Sequence, residues 1–134
     1  MGTRWRVLAA APRGSDVAAA ERAIVARLAG LIAEMSHWDD GSLLSRFNRA
    51  PPGEWIALPP DFTTVIARAV AIAEASEGAF DPAIGRLVDL WGFGPPGPRP
   101  APDEAAITAA RAGSGWRRLA WDGAARRLCQ PGGC

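Results

Sequence analysis

The chain has 134 residues, 49% of them hydrophobic and 22% charged, which places it among folded globular chains of about one domain. A formal net charge of +1 gives no bulk preference for nucleic acid or an anionic membrane surface, and no apolar run approaches the roughly 20 residues needed to span a bilayer. All 15 basic residues are arginine, which excludes a lysine-bearing phosphate loop and a lysine Schiff base; a single histidine, His37, excludes a two-histidine zinc helix.

In chain order, Thr3 to Ala10 carries Trp5, Val7 and Leu8 and stops at the Pro12-Arg13-Gly14 turn, so it reads as a first strand. The run after Arg6 ends too early for a signal-peptide core, and Arg6 stands where a myristoylation motif needs Ser or Thr. The sequence as written therefore carries no address label and leaves the compartment open. Ser15 is the expected N-cap of a helix from about Asp16 to Met35, whose apolar stripe is Ala20, Ile24, Leu28, Leu31 and Met35. Asp39-Asp40-Gly41 ends it, and Ser42 caps a short helical turn holding Leu43, Leu44 and Phe47. After a Pro51-Pro52-Gly53 loop, Trp55 to Leu58 is a short strand.

Pro60-Asp61 opens a second long helix with Phe62, Val65, Ile66, Ala69, Val70 and Ala73 on one stripe and Gly78 as its C-cap. Ala83 to Leu90 reads as a short helix, Gly92 to Pro102 as a proline-rich surface loop, and Asp103 to Ala112 as helix. Trp116 to Trp121 and Arg126 to Gln130 flank Asp122-Gly123 as a hairpin, and a four-residue loop that sets Leu119 opposite Leu128 is the preferred register. Helices interspersed with few, short strands give an α+β class, with helices on a small, mainly antiparallel sheet that is expected to be incomplete within residues 1–134. Cys129 and Cys134 form neither a Cys-x-x-Cys pair nor a zinc knuckle, and two ordinary thiols in a loop is the plainer reading.

Four segments can carry chemistry: Met1-Gly2-Thr3, Met35 to Asn48, Gly78 to Pro82, and Leu90 to Pro95. Trp38 sits at a helix-to-loop transition, where its ring either stacks on a planar heterocycle or closes the helix end. Asp39 and Asp40 point in different directions and suit a solvated turn better than a metal. Arg46 and Asn48 lie on the side of Ser42 and either hold a phosphate or ribose or fix their own loop. Asp81, confined to extended geometry by Pro82, presents the backbone of Ala79 to Asp81 as a rigid arc, suited to a ring edge or serving as an ordinary turn. Trp91 and Phe93 are expected to pack under the proline loop.

The order and spacing of Met1-Gly2-Thr3, Ser36-His37-Trp38 through Ser42, Ser45-Arg46-Phe47-Asn48, Glu77 to Pro82 and Leu87 to Gly94 resemble the ApbE family, the FAD:protein FMN transferases. The resemblance covers essentially the whole chain. It implies that FAD is split at its pyrophosphate, AMP leaves, and FMN is attached through its phosphate to a threonine hydroxyl of an acceptor flavoprotein, with magnesium required. By position, Met1 matches the family's methionine at the flavin site, and Trp38 falls where a tyrosine ring often lies against the ligand. Ala79, Phe80 and Asp81 match the segment that hydrogen-bonds FAD. Ser42, Arg46 and Asn48 match a motif that shapes the pocket. The family's aspartate-bearing strand, its Gly-Lys segment and its magnesium ligands find no counterpart here, so the chain reads as the N-terminal part of such an enzyme with no metal or catalytic residue of its own. The competing readings are a non-catalytic protein that binds or scavenges FAD, and an interaction module whose tryptophans are all structural.

Overall fold

The computed structural model describes residues 4–132, so Met1 and Cys134 lie outside the described residues. In chain order the elements are α1 (Val17–Met35), α2 (Leu43–Arg49), β1 (Trp55–Ala57), α3 (Pro60–Ala75), α4 (Gly85–Leu90), α5 (Glu104–Gly113), a 3-10 turn at Trp116–Arg118, β2 (Ala120–Asp122) and β3 (Arg127–Cys129). The strands form one antiparallel sheet in the order β1-β3-β2. That is the α+β arrangement the sequence implies. Among the described residues no helix is long and apolar enough to cross a membrane.

The helix starts follow local capping chemistry. Asp16, not Ser15, caps α1 by accepting the Ala19 amide at 2.8 Å. Ser15 is drawn into the preceding turn, where its hydroxyl donates to the Pro12 carbonyl at 2.9 Å. Ser42 caps α2 through the Ser45 amide, Asp103 caps α5 through the Ala106 amide, and Pro60 sits in the first turn of α3, where its missing N–H goes unneeded. α3 ends in a paired motif: the Glu77 amide donates to the Glu74 carbonyl (3.1 Å) and the Gly78 amide to that of Ala73 (2.9 Å). Glu77 thus takes the left-handed position, at φ 52°, where glycine is usual, and Gly78 follows at φ 90°.

Two strand expectations fail as well. Thr3 to Ala10 forms no strand in its described part, because a strand exists only as one half of a pair and residues 4–11 pair with none of β1, β2 and β3. Val7 and Leu8 stand exposed there. The hairpin has the expected four-residue loop, now residues 123–126, but its register is displaced: Trp121, not Leu119, faces Leu128. Asp122 decides this. It accepts the Ala125 amide at 2.9 Å inside the loop and the Arg127 guanidinium at 3.1 Å across the strands, which makes Asp122–Arg127 the closing pair.

The core is small. Phe47, Leu58, Phe62, Ile66 and Leu128 are buried together, with Met35, Leu44, Val70 and Trp121 packed around them. Gln130, 1% exposed, ties the end of β3 to α2 by donating from Nε2 to the Phe47 carbonyl at 2.7 Å. An Arg27–Asp61 hydrogen bond links α1 to α3.

Two stability predictions follow from these contacts. Glu77→Gly relieves the left-handed backbone of a side-chain-bearing residue and should stabilise the protein by about 1 kcal/mol in a urea titration; a decrease would show that the Glu77 side chain does something the turn needs. The Arg27 hydrogen bond holds the Asp61 carboxyl below its ordinary range, and the Ala125 amide, helped by Arg127, does the same for Asp122. With folded values below the unfolded value of about 3.9, both contributions are present above that pH and vanish as pH falls through the folded values. Asp122→Asn should therefore melt lower than wild type at neutral pH and converge with it in strong acid; parallel curves at every pH would deny the carboxylate this role.

Candidate functional site

Three buried serines knot the loop after α1. The Ser36 carbonyl accepts the hydroxyls of Ser42 (2.6 Å) and Ser45 (3.5 Å), and Ser36 Oγ accepts the Trp38 amide at 3.2 Å. Asp39 turns the chain by accepting the Gly41 amide at 2.9 Å. Arg46 and Arg49 then donate to the carbonyls of Gly41 and Asp40, each at 2.6 Å. Of the two readings open for Arg46, loop fixation is the one these bonds support. The result is a rigid platform on which Trp38 stands 63% exposed, its ring facing outward rather than closing the helix.

The Ala79–Asp81 arc is as firmly held. The Ala79 amide donates to the Ser76 carbonyl (3.0 Å), and the Phe80 amide to Ser76 Oγ (3.1 Å). Asp81 spends both carboxylate oxygens on backbone: Oδ1 accepts the Ala83 amide at 2.8 Å and Oδ2 the Trp116 amide at 3.1 Å. The first of these bonds delays the helix, so α4 starts at Gly85 rather than Ala83. The indole of Trp116 lies over Gly78, where a Cβ would sit 3.3 Å from its Nε1. With those contacts made, the Asp81 amide and the carbonyls of residues 79–81 have no hydrogen-bond partner among the described residues. Phe80 is 44% exposed beside them.

Between platform and arc lies a cavity of about 240 Å³ whose walls are mostly apolar, including Phe47, Phe62, Ile66, Val88 and Leu128. His37 and Pro82 line it, so the segments that carry Trp38 and Asp81 both reach its margin, although neither Trp38 nor Ala79, Phe80 and Asp81 lines the cavity itself. An adjoining basin of about 300 Å³ shares His37, Asn48 and Gly85 and adds Arg49, Arg86 and Asp89. His37 Nε2 meets Asp89 Oδ1 at 3.0 Å across it.

Residues 90–94 depart from expectation. Phe93 is 76% exposed and Trp91 46%, so they do not pack under the proline loop. The loop packs on glycine instead: Gly92, left-handed at φ 77°, closes α4 by its amide to Asp89, and a Cβ there would lie 2.7 Å from the Arg99 nitrogen. Gly94 lies against the Asp89 carboxylate with no room for a side chain. Gly94→Ala should displace Asp89 from His37 and cost about 1–3 kcal/mol of stability, read as a lower Tm; an unchanged Tm with the His37 ring resonances undisturbed by NMR would mean that Asp89 is not confined there.

Ser76, Trp116 and Asp89 were not singled out from sequence. A serine two residues before a helix-ending glycine was the one local signal for Ser76; Trp116 and Asp89 act across the chain and left none.

A family model described as the ApbE family matches residues 1–133. An FAD:protein FMN transferase of Klebsiella pneumoniae is 37% identical over 123 residues, which are 89% of this chain and 34% of that protein. The chain spans between 18% and 34% of the length of the curated relatives it matches. The flavin transferase ApbE from Vibrio cholerae superposes with a TM-score of 0.82 at 32% identity, over 90% of this chain and 39% of that one. The apo form of the flavinyl transferase ApbE from Pseudomonas stutzeri gives 0.81 at 32% identity, over 90% and 40%. With the family's pattern matched from residue 1 to residue 133 and its fold reproduced, this chain belongs to the ApbE family.

Proposed function

We propose that this chain serves FAD:protein FMN transfer and that its residues hold the FAD. In that reaction a threonine hydroxyl of an acceptor flavoprotein attacks the FMN-side phosphorus, the pyrophosphate bond breaks, and AMP departs. The observation that carries this reading is the match to the family over residues 1–133, among relatives named for that activity.

The geometry supports it in two ways. The exposed Trp38 ring offers a stacking face for a planar heterocycle, an interaction of about 1–3 kcal/mol in base–aromatic cases. The arc of Ala79, Phe80 and Asp81 offers one amide donor and several carbonyl acceptors, already fixed in place, so little ordering is needed on binding. Met1 lies outside the described residues, and its place at the flavin rests on the family resemblance alone. Magnesium suits phosphoryl transfer, but among the described residues no group of three or more His, Cys, Asp or Glu side chains could hold a metal ion. No step is assigned to a metal on this chain.

The test has two stages. FAD should quench tryptophan fluorescence on titration, and Trp38→Ala should weaken the affinity at least about five-fold. In the presence of magnesium and a threonine-bearing acceptor, the acceptor should gain the mass of FMN less water, with AMP released one for one. Bound FAD without any modified acceptor would reduce the protein to a binder; no FAD binding would remove the reading altogether.

A further inference from the structure

We infer that Ser76 is a positioning residue for the flavin-holding arc, with Gly78 and Trp116 completing the brace; the inference rests on the FAD-binding reading above. Four observations converge on it. Ser76 is the only residue among those described that bonds two successive amides of the arc, Ala79 through its carbonyl at 3.0 Å and Phe80 through its hydroxyl at 3.1 Å. That hydroxyl also donates to the Ala73 carbonyl at 3.4 Å, which anchors it to the last turn of α3. The backbone between these anchor points is forced: Glu77 and Gly78 are consecutive left-handed residues, at φ 52° and 90°. Side-chain-bearing residues hold such angles only where surrounding contacts over-determine them.

Trp116 closes the structure from the other side. Its main-chain amide donates to Asp81 and its ring covers the bare Cα of Gly78. The indole Nε1 is buried without a hydrogen-bond partner, a penalty that this packing accepts. Sealed from solvent, that nitrogen is not a ligand donor. Its ring is a wall, and the arc is clamped between wall and serine.

The consequence is directional. Ser76 consumes the amides of Ala79 and Phe80 on the inside of the turn, and this leaves the Asp81 amide and the three carbonyls of the arc unpaired. A ligand edge that presents an N–H donor next to carbonyl or ring-nitrogen acceptors complements that set, and both heterocycles of a flavin dinucleotide carry such edges. Ser76 thus selects which backbone groups face the ligand without touching it.

Three variants separate positioning from mere folding. Ser76→Ala should raise the FAD dissociation constant about five-fold, the order of one hydrogen bond, and speed hydrogen exchange at the Phe80 amide. Ser76→Thr, which keeps the hydroxyl, should restore both. Gly78→Ala, which pushes the indole away, should weaken FAD binding at least as much as Ser76→Ala. Wild-type affinity in Ser76→Ala, or a Phe80 amide that exchanges no faster, would overturn the inference. So would Ser76→Thr failing alongside Ser76→Ala with an equal fall in Tm, since that pattern marks a general packing defect. If wild type itself binds no FAD, the binding reading falls, and the exchange rate at Phe80 in Ser76→Ala and Ser76→Thr still decides whether Ser76 holds the arc.

Discussion

The carboxylate of Asp81 joins two parts of the chain that lie 35 residues apart, with one oxygen on the Ala83 amide at the approach to α4 and the other on the Trp116 amide before β2. Everything proposed for the arc depends on this bridge. Proline at 82 already confines Asp81 to extended geometry, so the side chain reaches both amides from a backbone with little freedom left to lose. A charged acceptor on two main-chain donors is stronger than a neutral one would be, and the carboxylate is thereby committed to structure. What remains for a ligand is backbone. A ligand held at the proposed arc would meet shape and hydrogen-bond pattern rather than charge, which suits an uncharged heterocycle.

The platform under Trp38 is built by the same economy. Ser36, Ser42 and Ser45 are buried, and their hydroxyls all find partners within the loop. Arg46 and Arg49 close it from outside by donating to its carbonyls. Small hydroxyls suit this work because they satisfy backbone groups without the volume of a longer side chain. Trp38 can stand exposed because the loop beneath it is rigid without its help, and an exposed ring on a fixed base loses little freedom when a second ring stacks on it.

What could be read from the sequence was what is decided within a few residues. Ser42 and Pro60 announced their helices, since a serine cap needs only its own hydroxyl and an amide three residues on, and a proline in the first turn needs only its fixed φ and its missing N–H. The arc at Ala79–Asp81 and the position of Trp38 were named from the family's ordered blocks, and the structure brings their neighbours Pro82 and His37 to one cavity. Contacts made across the chain were illegible. Nothing near Asp81 in sequence points to Trp116, and nothing near His37 points to Asp89. The strand errors have the same origin: Val7 and Leu8 have strand composition, yet composition cannot supply a partner, and Asp122 set the hairpin register through a loop amide and Arg127 rather than through the apolar pair.

The shape of the core explains where order concentrates. Each strand has three residues, so the sheet is about 10 Å long, whereas the 19 residues of α1 extend about 28 Å. A sheet that short can support only one end of such a helix. Met35 packs on the core, while Val17 and Val25 stand exposed towards the other end, and the total surface of 8948 Å² exceeds the roughly 6,700 Å² expected of a compact monomer of 14.1 kDa. The end of α1 that packs is the end that delivers Ser36, His37 and Trp38. The turn that ends α3 belongs to the same body, since Ala73 is fully buried and its carbonyl takes the bonds that fix Ser76 and Gly78. Platform and arc therefore both grow from the packed ends of their helices, and a site that depends on fixed backbone groups needs that placement.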